Sequence, residues 1–178
     1  MTGVQTCALP IFCKRAQEEV GTIDVLVNNA GISTRNAITR LTDAEWERNL
    51  AVNLTGPMYA IRELVPGMKQ AGWGRILNVT SGAGTHGVAG FSAYGAAKGG
   101  VVGLTLTLAQ ELARFGIRVN ALSPGALTDM LRQLPPELLD PMVERGLPTV
   151  EDCAEAALRL VVDDAPNGQV VGVGGQAP

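Results

Sequence analysis

The chain has 178 residues, 46% of them hydrophobic and 17% charged, which is the balance of one globular domain and excludes a disordered tail or a fibre. Fourteen Lys and Arg against seventeen Asp and Glu leave a net charge of −3, so no basic surface for nucleic acid is expected. Every apolar stretch is broken well before the roughly 20 residues a bilayer crossing needs, and a soluble protein without a membrane partner is expected.

The opening residues carry an apolar run, Ala8-Leu9-Pro10-Ile11-Phe12-Cys13, with no basic residues before it and Pro10 inside it, which is not the pattern of a secretory signal. From about Phe12 onward, short apolar runs alternate with longer amphipathic or apolar segments. A parallel sheet flanked by helices reads this way, so the expected class is α/β. Residues 23–28 are the first candidate strand. Thr42, with Glu45 three residues on, has the form of a capping box and starts a helix running toward Lys69, bent where Pro57 removes a backbone donor. Residues 75–80 form the second strand, a helix runs from near Ser92 to just before Gly116, and residues 117–122 form the third strand. Thr149-x-x-Asp152 starts a last helix over residues 149–162, and the turn Pro166-Asn167-Gly168 leads into a fourth strand at residues 168–173. The strands are rich in β-branched residues, which suit a pleated surface. Trp46 and Trp73 read as packing residues. Three cysteines, Cys7, Cys13 and Cys153, have neither Cys-x-x-Cys spacing nor an even count, which points away from disulfides and structural zinc and toward a reducing, cytoplasmic setting.

The helix after Ser92 places Val101, Val102, Leu104, Leu106, Leu108, Ala109 and Leu112 around most of its circumference, the pattern of a helix buried on more than one side. A sheet covers one face only. Either the chain's own neighbouring helices or a second copy of the chain must cover the rest, and a homo-oligomer is expected.

Within that helix Tyr94 and Lys98 are four apart and project from one face. A phenol with a pKa near 10 needs a fall of about three units to exchange protons near neutrality, and a cation one turn away acts in that direction. Ser81 follows the strand at residues 75–80, and the C-terminal ends of parallel strands are where open α/β sheets bind ligands. The small stretch Gly82-Ala83-Gly84-Thr85-His86-Gly87 is supple enough to bring its hydroxyl back toward the helix. Taken singly, each of these residues also has an ordinary structural reading: a surface Tyr, a solvated Lys, a turn Ser. His86, the one histidine, reads as a loop residue near the mouth of such a site.

Taken together and in order, the motifs resemble the short-chain dehydrogenase/reductase family. Asn28-Asn29-Ala30-Gly31 after an Asp-led strand is similar to the family's Asn-Asn-Ala-Gly signature. Asn53 in Val52-Asn53-Leu54-Thr55-Gly56 matches its helix asparagine, Ser81, Tyr94 and Lys98 complete its catalytic tetrad, and Pro124-Gly125 follows the next strand as in the family. The resemblance is to the branch that contains 3-oxoacyl-acyl-carrier-protein reductases. It implies hydride exchange between a carbonyl and a secondary alcohol with NAD or NADP, no metal, and a homodimer or homotetramer. Tyr94 would pass the proton, Ser81 would hold the carbonyl oxygen, Lys98 would bind the nicotinamide ribose and lower the Tyr94 pKa, and Asn53 would position a water in a relay to Lys98. Asn28, Asn29, Ala30 and Gly31 would line the cofactor, with Pro124, Gly125, Leu127 and Thr128 at its nicotinamide end. Residues 129–148 would form a short substrate lid with an apolar wall from Leu131, Leu134, Leu138, Leu139 and Met142.

The family opens with a strand, a Gly-rich turn and a helix that receive the cofactor pyrophosphate. No such turn occurs in these 178 residues. The expectation is therefore the C-terminal part of a Rossmann-like doubly wound sheet of about four strands, without the first three, over residues 12–178, with residues 1–11 resembling a translated sequencing-adapter scar. Two functions follow: the catalytic part of an oxidoreductase, or a catalytically incompetent fragment that at most dimerises through its long helices.

Overall fold

Four parallel strands in the order β1-β2-β3-β4 make one sheet: β1 at Val25–Asn28, β2 at Gly74–Val79, β3 at Ile117–Ser123 and β4 at Val170–Gly172. The computed structural model describes residues 3–126, 129–132 and 134–174. The helices are α1 Gly3–Val20, α2 Asp43–Leu50, α3 Gly56–Ala71, α4 Gly82–Thr85, α5 Ser92–Leu112, α6 Asp129–Arg132, α7 Pro136–Glu144 and α8 Val150–Arg159. The expected α/β class and all four parallel strands are present, each within two residues of its sequence-derived bounds. A four-strand parallel sheet flanked by helices is consistent with part of a Rossmann fold.

Side chains alternate across β2, and this divides the core. Ile76 joins Ile117 and Val119 of β3 against α3, α5 and α1, with Met68, Leu64 and Leu112 at the centre of that layer. Leu77 points the other way, to Leu122 and to Leu160 just past the end of α8. The result is helices, sheet, helix. Residues 3–11, set apart by the sequence reading, form the first turns of α1, which continues through Pro10, and Leu9 packs against the main cluster.

Helix ends follow local chemistry. Thr42 and Glu45 cap α2 reciprocally, and Thr149 and Asp152 do the same for α8. The bend expected near Pro57 is a π-helical turn over Ala51–Thr55 just before it. Burial on α5 follows one stripe, Ala93, Ala97, Val101, Thr105, Ala109 and Leu112, rather than the several sides expected. In the single chain Leu106 is 41% exposed. The apolar wheel exceeds what the sheet alone covers.

The polar side chains inside the sheet are paired, except the Ser123 hydroxyl, which is buried without a partner among the described residues. Asn28 Nδ2 donates to Asn78 Oδ1 at 2.8 Å, Asn78 Nδ2 to Thr105 Oγ1 at 3.0 Å, and Thr105 Oγ1 to the Val101 carbonyl at 2.8 Å, which ties β1 through β2 to α5. Arg75, stacked on Trp73, donates to the carbonyls of Gly74, Gly116, Val162 and Asp163 and so closes the opposite end of the sheet. Trp73 packs as expected, whereas Trp46 is more than a third exposed.

Gly116 ends the α5 segment at φ +72°, and a Cβ there would overlap the Gly72 carbonyl oxygen; Gly146 has φ +79° with open space around it. Gly146→Ala therefore loses about 1 kcal/mol through backbone strain alone, while Gly116→Ala loses roughly 3 kcal/mol or more, read as the difference between their urea denaturation midpoints.

Candidate active site

The C-terminal end of β2 meets the start of α5 at Lys98. Its ammonium donates to the Val79 carbonyl at 2.7 Å, and the Thr80 hydroxyl donates to the Lys98 carbonyl at 2.9 Å, so the last residue of β2 and the one after it hold the lysine at both ends. Lys98 is only 4% exposed. Its ammonium makes one hydrogen bond among the described residues, which leaves two N–H donors for another acceptor. Burial drives its pKa from 10.5 down to about 8.

Tyr94 lies one turn earlier, with the Lys98 Nζ 5.7 Å from its ring centre and the Phe91 ring edge-on at 6.2 Å. Burial raises the phenol pKa, and the Ser81 side chain, hydrogen-bonded to it, draws it partway back. Lys98 does not lower the phenol as expected: its ammonium is turned to Val79, and desolvation dominates. Ser81 caps α4, accepting from the Ala83 N–H at 3.3 Å. The glycines after it serve contact as well as suppleness, since a Cβ on Gly84 would lie 2.6 Å from the Gly99 nitrogen. Backbone thereby packs on backbone, and α4 brings Ser81 beside Tyr94.

Asn53 sits in the π-helical turn. Its Nδ2 donates to the carbonyls of Ile32 at 2.9 Å and Asn49 at 3.0 Å, and its Oδ1 accepts from the Ile32 N–H at 3.2 Å. The residue four positions on is Pro57, which has no N–H to give the Asn53 carbonyl. A Cβ on Gly31 would lie 2.9 Å from Asn53 Oδ1 and 3.6 Å from the Lys98 Nζ. Only glycine lets this loop sit so near both residues.

Ser81, Tyr94, Lys98, Asn53 and Gly31 are therefore brought together at the C-terminal edge of the sheet. Asn28 is engaged with Asn78, while Asn29 and Ala30 are exposed beside a cavity of about 400 Å³ toward α1. Pro124 and Gly125 follow β3, with Gly125 buried against β4, where a Cβ would meet the Val173 carbonyl oxygen at 2.9 Å. Leu127 and Thr128 lie outside the described residues. His86 is exposed at the end of α4 and bonded to Thr85 at 2.9 Å. The segment expected as a lid carries α6 and α7, with Leu131, Leu134, Leu139 and Met142 half-buried. Sequence reasoning passed over Thr80, Asn78, Asn120 and Asn49. An asparagine inside an apolar strand was the available signal for two of them: Asn120 donates to the Leu160 and Pro166 carbonyls and accepts from the Gln169 N–H.

The profile of the short chain dehydrogenase family matches residues 7–139. The chain belongs to that family. It is 40% identical over 130 residues to an acetoacetyl-CoA reductase of Cupriavidus necator, covering 72% of this chain and 53% of that protein. It is 38% identical over 165 residues to a D-beta-hydroxybutyrate dehydrogenase of Rhizobium meliloti, covering 83% and 64%. A 3-oxoacyl-acyl-carrier-protein reductase of Thermotoga maritima is 37% identical over 171 residues, covering 91% and 69%. The chain thus spans about half to two thirds of the length of the curated relatives it matches. No helix among the described residues is long and apolar enough to cross a membrane.

The family is one of dehydrogenases and reductases that typically use NAD(P). The residues present suit the ribose end of such a cofactor: Lys98 has two unused donors, and the bare Gly31 admits close approach. Lys98 also has a measurable cost. Between pH 8 and 10.5 the unfolded chain keeps the lysine proton and the folded chain releases it, so stability rises with pH across that window, and below it the buried charge destabilises in full. Lys98→Met accordingly raises the urea midpoint at pH 7, and the difference from the unaltered protein shrinks as denaturation is repeated from pH 8 to 10.5.

Proposed function

We propose that the chain carries the catalytic part of an NAD(P)-dependent oxidoreductase that interconverts a carbonyl and a secondary alcohol. The observation that supports this most is the convergence of Ser81, Tyr94 and the buried, half-satisfied Lys98 at one sheet edge. When bound, the nicotinamide supplies or takes up the hydride at the reacting carbon. In the reducing direction the protonated Tyr94 donates to the carbonyl oxygen, and Ser81 holds that oxygen by a hydrogen bond. The spare donors of Lys98 meet the ribose hydroxyls and keep the ribose next to Tyr94. Asn53, whose carbonyl lacks its usual donor because of Pro57, holds a water that links Lys98 to solvent. Asn29, Ala30, Gly31, Pro124 and Gly125 complete the wall.

The names of the relatives suggest a 3-oxoacyl thioester or 3-hydroxy acid as substrate, with the half-buried leucines of the lid segment against its carbon chain. In this reading the Gly-rich loop for the pyrophosphate, with the three strands around it, belongs to a preceding segment, and residues 12–178 are the partial domain. A groove of about 560 Å³ between α3 and α5, lined by Ile61, Val65, Leu104 and Leu108, is where a second copy would cover the excess apolar face of α5. The protein would work in the cytoplasm.

A second reading, a non-catalytic dimerising fragment, is favoured by the outer edge of β1, where Val27 is 50% exposed on a strand with no partner on that side among the described residues. Oxidation of NADH or NADPH with acetoacetyl-CoA, followed at 340 nm, separates the two. Turnover by the 178-residue chain rejects the second reading. In a chain extended upstream, Tyr94→Phe is expected to lower kcat at least 100-fold with nearly unchanged cofactor affinity; equal activity in the variant would remove Tyr94 from its role.

A further inference from the structure

The loop that follows Gly31 is gripped from one side by three residues of the facing helix. Glu45 accepts from Asn36 Nδ2 at 3.1 and 3.2 Å, Asn49 Nδ2 donates to Thr34 Oγ1 at 3.1 Å, and Asn53 exchanges two hydrogen bonds with the Ile32 backbone. The helix residues are spaced by four and the loop residues by two, in opposite directions. Four residues of helix advance about 6 Å and two of extended chain about 6.6 Å, so the rungs stay in register. Burial follows the same rhythm: Ile32, Thr34 and Asn36 are half-buried, while Ser33 and Arg35 are exposed. At its far end the loop is tied to the segment before α5 by the Asn36 N–H donating to the Gly90 carbonyl at 2.8 Å.

The middle rung is the unusual one. Asn49 is 0% exposed, also donates to the Glu45 carbonyl at 2.8 Å, and leaves its Oδ1 without a partner among the described residues. A buried, unsatisfied carbonyl oxygen costs stability, and an apolar side chain of the same size would pack there without that cost. The geometry points to a function for the donor half of the amide. We propose that Asn49 is a positioning residue: through Thr34 it fixes the loop that carries Gly31 against Asn53 and Lys98. This deepens the oxidoreductase reading and rests on it for its catalytic meaning, since a loosened Gly31 lets water reach the lysine that would hold the ribose.

The test needs neither cofactor nor turnover. Asn49→Leu, Thr34→Val and the double variant are compared by amide hydrogen exchange and by carbon-13 titration of the lysine side chains, of which the chain has three, Lys14, Lys69 and Lys98. Asn49→Leu is expected to keep or raise the thermal midpoint while amides 32–36 exchange roughly tenfold faster than in the unaltered chain. The Lys98 titration moves up from about 8 toward 10.5. Thr34→Val, at a half-buried position, gives the same local changes, and the double variant adds nothing further. Unchanged loop exchange and Lys98 titration overturn the proposal, as does a lowered midpoint with exchange raised everywhere, or additive effects in the double variant. If Asn49→Leu does not fold, Thr34→Val decides alone. A chain that never oxidises NADH or NADPH would count against the oxidoreductase reading and leave these readouts intact.

Discussion

Everything at the edge of this sheet turns on the burial of one ammonium group. Lys98 arrives on the second turn of α5, meets the end of β2, and is held there by the Val79 carbonyl and the Thr80 hydroxyl. Isolated in a protein interior, a cation of this kind releases its proton unless acceptors compensate it, and the descent of its pKa to about 8 marks how incompletely they do. The surrounding elements are arranged to reach this point: glycines let α4 lie on the backbone of α5, and Gly31 lets a loop approach from the other side. In the oxidoreductase reading proposed above these unspent donors meet the ribose hydroxyls, and the arrangement gives up stability to keep them there.

The same logic accounts for the polar residues that a hydrophobic core would ordinarily exclude. Asn28, Asn78 and Thr105 form one hydrogen-bonded line across the sheet into α5, and Asn53 restrains the Ile32 backbone beside the glycine loop. Each fixes one element relative to its neighbour at the sheet edge where Ser81 and Tyr94 must meet. Networks of this kind specify geometry more than they add stability, because every member must find its partner in one arrangement only. The arginine at the other end of β2 performs a comparable service for the turn after α8.

Much of this was legible in the order of residues. Capping boxes at Thr42 and Thr149 and β-branched runs between them located the elements, because those signals are local. The Tyr94-Lys98 spacing showed a shared helical face. What escaped notice was non-local: whether the ammonium turns toward the phenol or toward a strand carbonyl depends on β2, and so the phenol is raised by burial instead of lowered by charge. The excess apolar surface of α5 was visible in its wheel, but its arrangement as one buried stripe with open flanks needed the positions of α3 and the π-helical turn. Asn49 was unreadable for the same reason, since its partner Thr34 lies fifteen residues away.

A ligand that carries the nicotinamide ribose but no adenosine addresses the buried ammonium without requiring a pyrophosphate loop. Reduced nicotinamide mononucleotide added to the isotope-labelled 178-residue chain is the most direct measurement. The account predicts chemical-shift changes concentrated at Gly31, Tyr94 and Lys98 and their disappearance in Lys98→Met. Changes scattered over the surface, or equal in that variant, would contradict it.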